Sequence, residues 1–301
     1  MKKGYIMIAA GAACWGSLGA FSTVLFEQGL SSLTVANFRV LLTTLIMGLY
    51  LAIFHRHLLQ VAKKDLSFFA AAGFISVCIF NFTYITAISL TNIVTAVILL
   101  YTAPVFVTIL SRFIFKEQVT PQKTLALLLT LIGCALVVEA YDLSSLKLNF
   151  KGILTGLSAG FTYGLYSIFS KKALETYSPW TTVFYSFVFG SLFISLFGRP
   201  WEKISLVGSF NTGIYLLLIA LIPTVLAYTL YTAGLKYVES SKASIIATVE
   251  PVVAVILAAF IFHAQISIFQ FAGILLVLGS VILIQIPTAG SSKKQEIKQN
   301  Q

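Results

Sequence analysis

Apolar stretches of roughly twenty residues recur about every thirty residues along this chain. Each is long enough to cross a hydrocarbon core about 30 Å thick as a helix. The chain is 58% hydrophobic and 10% charged, whereas soluble domains carry about 25% charged residues. Its long apolar runs do not alternate, as the strands of a membrane barrel would. Because only helices and closed barrels span membranes, the sequence predicts an all-α membrane protein.

We predict ten transmembrane helices. They are placed at 4–26, 34–54, 67–87, 92–115, 121–140, 151–170, 180–198, 212–235, 241–262 and 267–286. The first resembles a signal peptide, since Lys2-Lys3 precedes an Ala-rich run, but its apolar run continues to Phe26. That is too long for the apolar region of a signal peptide, so we expect it to be retained.

The distribution of basic residues predicts the orientation. Ten spans put both termini on one side, together with fifteen of the 20 Lys and Arg residues. The other side holds Lys147, Lys151, Arg199 and Lys203, and Arg39 lies inside a span. Because cytoplasmic loops are the basic ones, we predict a multi-pass protein of the inner (cell) membrane with both termini cytoplasmic. The net charge of +10 is spread over short loops, which argues against nucleic acid as a partner.

The second half of the chain repeats the first. Trp15-Gly16 matches Tyr163-Gly164, and Ala103-Pro104-Val105 matches Glu250-Pro251-Val252 at nearly the same offset. Five spans per copy is an odd number, so the second copy must be inverted in the membrane. Inverted repeats with a site at their interface are the usual architecture of secondary transporters.

These features resemble the drug/metabolite transporter superfamily, specifically its EamA branch. The resemblance covers about 5–286 and rests on the two five-span repeats, a Pro in the fourth span of each, and the segment Phe115-Lys116-Glu117-Gln118-Val119-Thr120 before the fifth. It implies a central cavity lined by the first, third and fourth spans of each repeat, and exporters of amino acids, other metabolites or toxic compounds. The family's Glu before the tenth span corresponds to Ala264 here, which we interpret as a change in loop packing.

The predicted domain organisation follows. Residues 1–145 form the first EamA-like repeat, 146–288 form the second, inverted repeat, and the Ser-, Lys- and Gln-rich stretch 289–301 is a disordered cytoplasmic tail.

Glu250 is the sharpest candidate for a functional residue, because it lies near the middle of the ninth span. An ionised carboxylate at that depth costs at least about 2.5 kcal/mol. One interpretation is a group that binds a proton or a substrate amine. The other is structural: a protonated Glu250 satisfies the backbone that Pro251 frees at a kink.

Arg39 also has two interpretations. It lies about five residues, or roughly 7 Å along a helix, from the outer end of the second span. The side chain either reaches the outer interface or caps a kink in the fourth span, or it binds a substrate carboxylate or forms a gate. An Arg39–Glu250 pair would make such a gate, but sequence does not show proximity.

Polar and aromatic residues concentrate in the first, third, fourth, sixth, eighth and ninth spans. The candidate pocket residues are Trp15, Asn81, Tyr84, Tyr101, Tyr163, Tyr166, Tyr228 and Tyr231. Individually such aromatics often form an interfacial belt or pack between helices; as a set they predict an aromatic pocket with few charges. Pro104, Pro223 and Pro251 are predicted kinks and candidate hinges.

Other motifs narrow the function class. There is no Gly-rich phosphate loop with Lys, and His55, His57 and His263 form no metal or catalytic set, so we expect no cofactor and no enzyme activity. With one basic residue inside the spans, phosphorylated substrates are disfavoured.

The sequence therefore predicts a secondary active transporter that works by alternating access and exports amino acids or similar small metabolites. Proton coupling is a hypothesis that rests on Glu250, and its partners are a small-molecule substrate and membrane lipids. Efflux of drugs or toxic compounds is the alternative that the aromatic residues favour. A lipid flippase or accessory membrane protein is an alternative from another class, and the oligomeric state is left open.

Overall fold

The computed structural model describes residues 2–142 and 146–286. This part of the chain forms ten helical segments. They are α1 Lys2–Glu27, α2 Ser32–Phe54, α3 Lys63–Leu90, α4 Ile93–Ile114, α5 Pro121–Val137, α6 Phe150–Ala173, α7 Pro179–Gly198, α8 Phe210–Leu235, α9 Ser240–Phe262 and α10 Ile268–Leu283. Short 3₁₀ helices occupy Arg56–Leu59 and Pro200–Val207. The predicted tail 289–301 lies outside the described residues.

The segments coincide with the predicted spans to within a few residues. By length and composition, seven of them can cross a membrane. The apolar segments α5 and α10 have 17 and 16 residues, and α6 has 24 residues but is rich in Gly, Ser, Thr and Tyr. An all-helical fold is therefore confirmed, and the ten-span inverted repeat stays a prediction.

Successive connections lie at alternating ends of the helix bundle. At one end, the backbone N–H of Ala62 donates to the Tyr177 hydroxyl, which joins the connections 55–62 and 174–178. The same end, which we call the basic end, holds the connection 236–239, since the Lys171 side chain donates to the Val238 carbonyl. It also holds the connection 115–120, since Glu117 accepts the Ser240 N–H. At the opposite end, the Thr212 hydroxyl donates to Gln28.

Both ends of the described chain lie at the basic end. Gly4 packs against Tyr237 and Val238, and the Gln122 side chain donates to the carbonyls of Leu283 and Ile286. This arrangement is the one that an even number of crossings produces.

Irregular helix turns recur at equivalent places in the two halves. A π-helical turn occupies Phe74–Ile79 in α3, and another occupies Leu221–Leu226 in α8, 147 residues later. Both α4 and α9 are interrupted near their middle, at Tyr101 and at Thr248. Pi-turns and mid-helix breaks often mark functional positions.

The candidate hinge prolines lie at these irregular turns. Pro223 is inside the π-turn of α8. Pro104 and Pro251 lie in the first turn of the helices Ala103–Ile114 and Val249–Phe262, which follow the breaks. Proline is tolerated there because the first N–H groups of a helix have no partner within it.

The packing of the halves is reciprocal. Segment α1 packs against α8 and α9, and α6 packs against the equivalent segments α3 and α4. Segments α5 and α10 pack side by side, with Thr130 and Ser280 hydrogen bonded at 2.8 Å. Their outer faces expose Leu128 and Leu275, as expected of a surface in contact with lipid.

A close approach between α3 and α7 provides a test of this packing. A Cβ at Gly73 would lie 2.6 Å from both the Ser186 carbonyl oxygen and the Gly190 nitrogen. Both are backbone atoms, so Gly73→Ala should destabilise the fold by about 1–3 kcal/mol. Thermal unfolding in detergent measures this, with Gly213→Ala as the matched helical control, since a Cβ there meets nothing within 4 Å. Equal melting temperatures for the two variants would contradict the observed packing.

Candidate functional site

A chamber with an empty volume of about 420 Å³ lies where α1, α4, α6, α8 and α9 meet. It is lined by Trp15, Tyr101, Ala103, Pro104, Val107, Tyr163, Gly164, Tyr166, Ser167, Tyr231, Ser244, Ala247, Thr248 and Glu250. Both halves contribute, and the breaks in α4 and α9 both open onto it.

Small residues let the helix backbones converge on the chamber. A Cβ at Gly16 would lie 2.7 Å from the carbonyl oxygen of Glu250, two residues after the break in α9. Gly164 holds the equivalent place in the second half, where a Cβ would meet Val107 at 3.0 Å and the Ala103 carbonyl oxygen at 3.3 Å. Glycine lets two helix backbones approach closely because it places no side chain at the contact. At Gly16 and Gly164 these close approaches are made to the interrupted helices α9 and α4.

Among the described residues of the chamber wall, Glu250 carries the only ionisable acid or base other than tyrosine hydroxyls. It is the eleventh residue of the 23-residue segment α9 and follows the break at Thr248 by two positions. The Tyr163 hydroxyl donates to Oε2 of Glu250 at 3.3 Å. The structure therefore places this carboxylate at the middle of α9, where it faces an aromatic pocket and accepts a hydrogen bond from α6 of the same half.

Trp15 forms the centre of the aromatic wall. Its ring lies 6.2 Å from Tyr163 and 5.0 Å from each of Tyr228 and Tyr231, in tilted or edge-to-face geometries. Its indole nitrogen has no hydrogen-bond partner among the described residues. A buried donor at a chamber wall is a group that a polar ligand can satisfy.

Hydrogen bonds hold the tyrosine rings in place. The Tyr166 hydroxyl pairs with Thr232 at 2.9 Å, and the Tyr231 hydroxyl pairs with Ser167 at 2.6 Å. These bonds cross between α6 and α8 and set the positions of the two rings where the segments meet.

Several predicted site residues lie beside the chamber rather than on its wall. Asn81 donates to the Val77 carbonyl of its own helix at 2.7 Å. Tyr84 stacks on Phe80, which in turn packs against Tyr163. Pro223 lies in the π-turn of α8 and is buried.

Arg39 is 7% exposed and lies next to the π-turn of α8. Its guanidinium donates to the Thr224 hydroxyl at 3.4 Å and interacts with the Tyr228 hydroxyl. The Tyr228 ring in turn packs against Trp15 at 5.0 Å, so Tyr228 connects Arg39 to the aromatic wall. No Arg39–Glu250 ion pair occurs in the described part of the chain; the two side chains flank the aromatic wall instead.

Sequence reasoning missed the small polar residues of the chamber. Ser167, Ser244 and Thr248 lie on its wall, but nothing in their local sequence distinguishes them from other Ser and Thr residues in spans. The repeat offers one usable signal, because Thr248 is equivalent to Tyr101 at the break in α4. Within the described ranges, no group of three or more His, Cys, Asp or Glu side chains is placed to hold a metal.

A model of the EamA-like transporter family matches this chain twice, over residues 2–139 and 150–286. The chain belongs to the EamA-like transporter family. The two matches divide the chain close to the boundary that separates the reciprocal halves of the fold.

Curated relatives of similar length agree with this family. An uncharacterized transporter of Archaeoglobus fulgidus is 31% identical over 291 residues, covering 94% of this chain and 96% of the relative. The uncharacterized inner membrane transporter YicL of Salmonella typhimurium is 26% identical over 294 residues, covering 95% and 96%. A solved crystal structure, 14% identical, matches with a TM-score of 0.75 over 95% of this chain and 97% of its own, which shows a shared fold. This EamA-like chain is a multi-pass membrane transporter of a small-molecule substrate.

Proposed function

We propose that this EamA-like protein is a secondary active transporter that exports a small amine-bearing metabolite, an amino acid or a similar compound, by alternating access. One observation supports this most: among the described residues of the chamber wall, Glu250 is the single carboxylate, and it shares that wall with Trp15 and four tyrosines. A cation bound there gains the charge of the carboxylate and the faces of the rings.

The chamber composition favours an amine over an anion. No Lys or Arg lies on the described chamber wall, whereas phosphorylated substrates are bound by Arg and Lys. Arg39 is not among the residues on the chamber wall; it contacts Tyr228, whose ring packs against Trp15 of that wall. In the proposed cycle, movement of that ring lets Arg39 contact the substrate carboxylate while Glu250 contacts the amine.

Alternating access in this proposal uses the two halves, 1–145 and 146–288, as inverted repeats that move around the chamber. The support is the reciprocal packing of α1 and α6 and the equivalent irregular turns in α3 and α8. Pro104, Pro223 and Pro251 are the proposed hinges. The basic end faces the cytoplasm because cytoplasmic loops carry the Lys and Arg excess.

Proton coupling completes the proposal. When substrate leaves the chamber, Glu250 takes up a proton, because an unpaired carboxylate at that depth is costly. The proton leaves when the next amine binds.

Binding to Trp15 tests the substrate class directly. The chain has three Trp residues, and replacing Trp180 and Trp201 with Phe leaves Trp15 as the only indole. We expect amino acids and small amines to change its fluorescence saturably, because the ring lies on the chamber wall. The control compounds have the same carbon skeletons but lack the amine. Equal responses to amine-free analogues, or no response to the whole panel, would overturn the amine proposal.

Efflux of toxic organic cations is the second candidate function. The contacts of Trp15 with Tyr163, Tyr228 and Tyr231 favour it, since an aromatic wall accepts varied flat cations. Growth of deletion and overexpression strains against a panel of cationic drugs distinguishes it from amino-acid export. Resistance to several unrelated cations, without a change in amino-acid secretion, would favour this candidate.

A further inference from the structure

A cluster of charged side chains at the basic end joins the two halves away from the chamber. Glu117, in the connection after α4, is 8% exposed. Its Oε1 accepts the backbone N–H of Ser240 at 2.7 Å, and its Oε2 accepts the N–H of Ser241 at 3.1 Å and also the Ser241 hydroxyl. Ser240 and Ser241 begin α9, so a side chain of the first half caps a helix of the second half.

Lys123 strengthens this connection. It is 4% exposed and lies in the first turn of α5. Its Nζ lies 2.8 Å from Glu239 and 3.8 Å from Glu117. We call Glu117, Lys123, Glu239, Ser240 and Ser241 the Glu117 clamp.

The helix that the clamp holds leads directly to the chamber. Helix Ser240–Ala247 has eight residues and no cap from its own N-terminal residue Glu239. Ser244 and Ala247 of this helix line the chamber, as does Thr248 at the break that follows it. Glu117 therefore satisfies the first N–H groups of a helix that forms the chamber wall on the basic side.

The opposite end of the bundle has the same backbone turn without the carboxylate. Lys116 and His263 both adopt left-handed backbone angles, with φ of 57° and 53°. The N–H of Glu117 donates to the Ser111 carbonyl and that of Ala264 donates to the Ala258 carbonyl, in the same six-residue pattern. Ala264 has no side chain that could cap α4, and Asn92 caps that helix from its own N-terminus by accepting the Thr95 N–H at 2.8 Å.

We propose that the Glu117 clamp is the gate that closes the chamber at the basic end, and that Glu117 must leave Ser240 and Ser241 for the chamber to open there. The equivalent end has no such clamp because Ala264 replaces the carboxylate, so opening is controlled differently on the two sides. The proposal rests on the proposed function in taking the chamber as the transport path. It adds a gating residue that touches neither substrate nor chamber.

Accessibility of a single cysteine tests the gate. Cys14, Cys78 and Cys134 are replaced with Ala, and Ser244→Cys places a thiol on the chamber wall. A membrane-impermeant thiol reagent is then added to one face or the other of membrane vesicles. A separate variant, His57→Cys, identifies the face that carries the basic end, because His57 is exposed in the connection 55–62.

We expect Glu117→Ala to raise the rate of labelling from the basic end about tenfold or more, because the closed state loses charge-assisted hydrogen bonds. Glu175→Gln is the control, since it removes a carboxylate from an exposed ion pair with Lys172 at the same end, and it should leave the rate unchanged. Lys123→Met should give a smaller rise from the same face. Glu117→Gln, which keeps the side-chain shape and one acceptor oxygen, replaces the alanine variant if that variant does not fold.

An unchanged labelling rate would overturn the gate, and so would an equal rise from both faces, which would mean that the helix has only loosened. Labelling requires no substrate, so the result is separable from the proposed function. Faster labelling from the basic end in a protein that binds no amine would retain the gate and overturn the proposed function. Amine transport together with a labelling rate that Glu117→Ala does not change would overturn the gate and retain the proposed function.

Discussion

Glu250→Gln is expected to lower amine transport in proteoliposomes by at least about thirtyfold. Removing one partner of a buried charge pair costs about 2–5 kcal/mol, and each 1.4 kcal/mol is about a tenfold change. The glutamine has nearly the same shape and still accepts the Tyr163 hydroxyl. The loss therefore reports the charge that faces the chamber, rather than the packing of α9.

The same variant tests proton coupling. An imposed pH gradient should accelerate transport by the unmodified protein and have no effect on transport by Glu250→Gln, since the glutamine amide does not take up a proton near neutral pH. Glu139→Gln is the control, because that carboxylate lies outside the chamber in the connection after α5. Full gradient-dependent flux in Glu250→Gln would remove both the coupling role and the amine-binding role of this residue.

Gly16→Val is expected to reduce transport roughly hundredfold, the loss that a displacement of about 1 Å at a reacting or binding centre produces. A Cβ at Gly16 would lie 2.7 Å from both the Glu250 carbonyl oxygen and Val253 Cβ. Real Cβ atoms essentially never come within 3.0 Å of a neighbour. Segments α1 and α9 must therefore separate at the chamber, which moves Trp15 and Glu250 apart.

Gly19→Val is the matched control for this change. Gly19 lies one helical turn later in α1, and a Cβ there meets nothing within 4 Å. Both variants carry the same cost of a β-branched residue in a helix, so the difference between them measures the contact with α9. The fluorescence response of Trp15 should be lost in parallel with transport in Gly16→Val. Equal transport by the two variants would show that the observed approach of α1 and α9 is not required.

Much of the fold was predictable from local patterns. Each apolar run became a helical segment within a few residues of its predicted bounds, because an apolar stretch in a bilayer satisfies its backbone only as a helix. The weakest prediction by composition was α6, whose Gly, Ser, Thr and Tyr residues lower its hydropathy. Those same residues place Tyr163, Tyr166 and Ser167 on the chamber wall.

The candidate site was predictable in part. Glu250 and five of the aromatic candidates, Trp15, Tyr101, Tyr163, Tyr166 and Tyr231, line one chamber. Asn81, Tyr84, Tyr228 and Arg39 were selected by the same reasoning and lie beside it. The depth of a residue in the membrane can be predicted from its position within an apolar stretch of sequence. The direction in which its side chain points depends on the rotation of the helix about its axis, which is set by packing against the other helices.

Hydropathy and charge distribution determine that this chain enters a membrane as helices, and the repeat predicts which helices are equivalent. Only the tertiary structure decides that Tyr228 contacts Arg39 and packs against Trp15, and that Glu117 caps a helix 123 residues away along the chain. The physical reason is the distance along the chain over which each interaction acts. Transfer of a segment into lipid depends on its own composition, whereas a hydrogen bond across the bundle depends on how several helices pack at once.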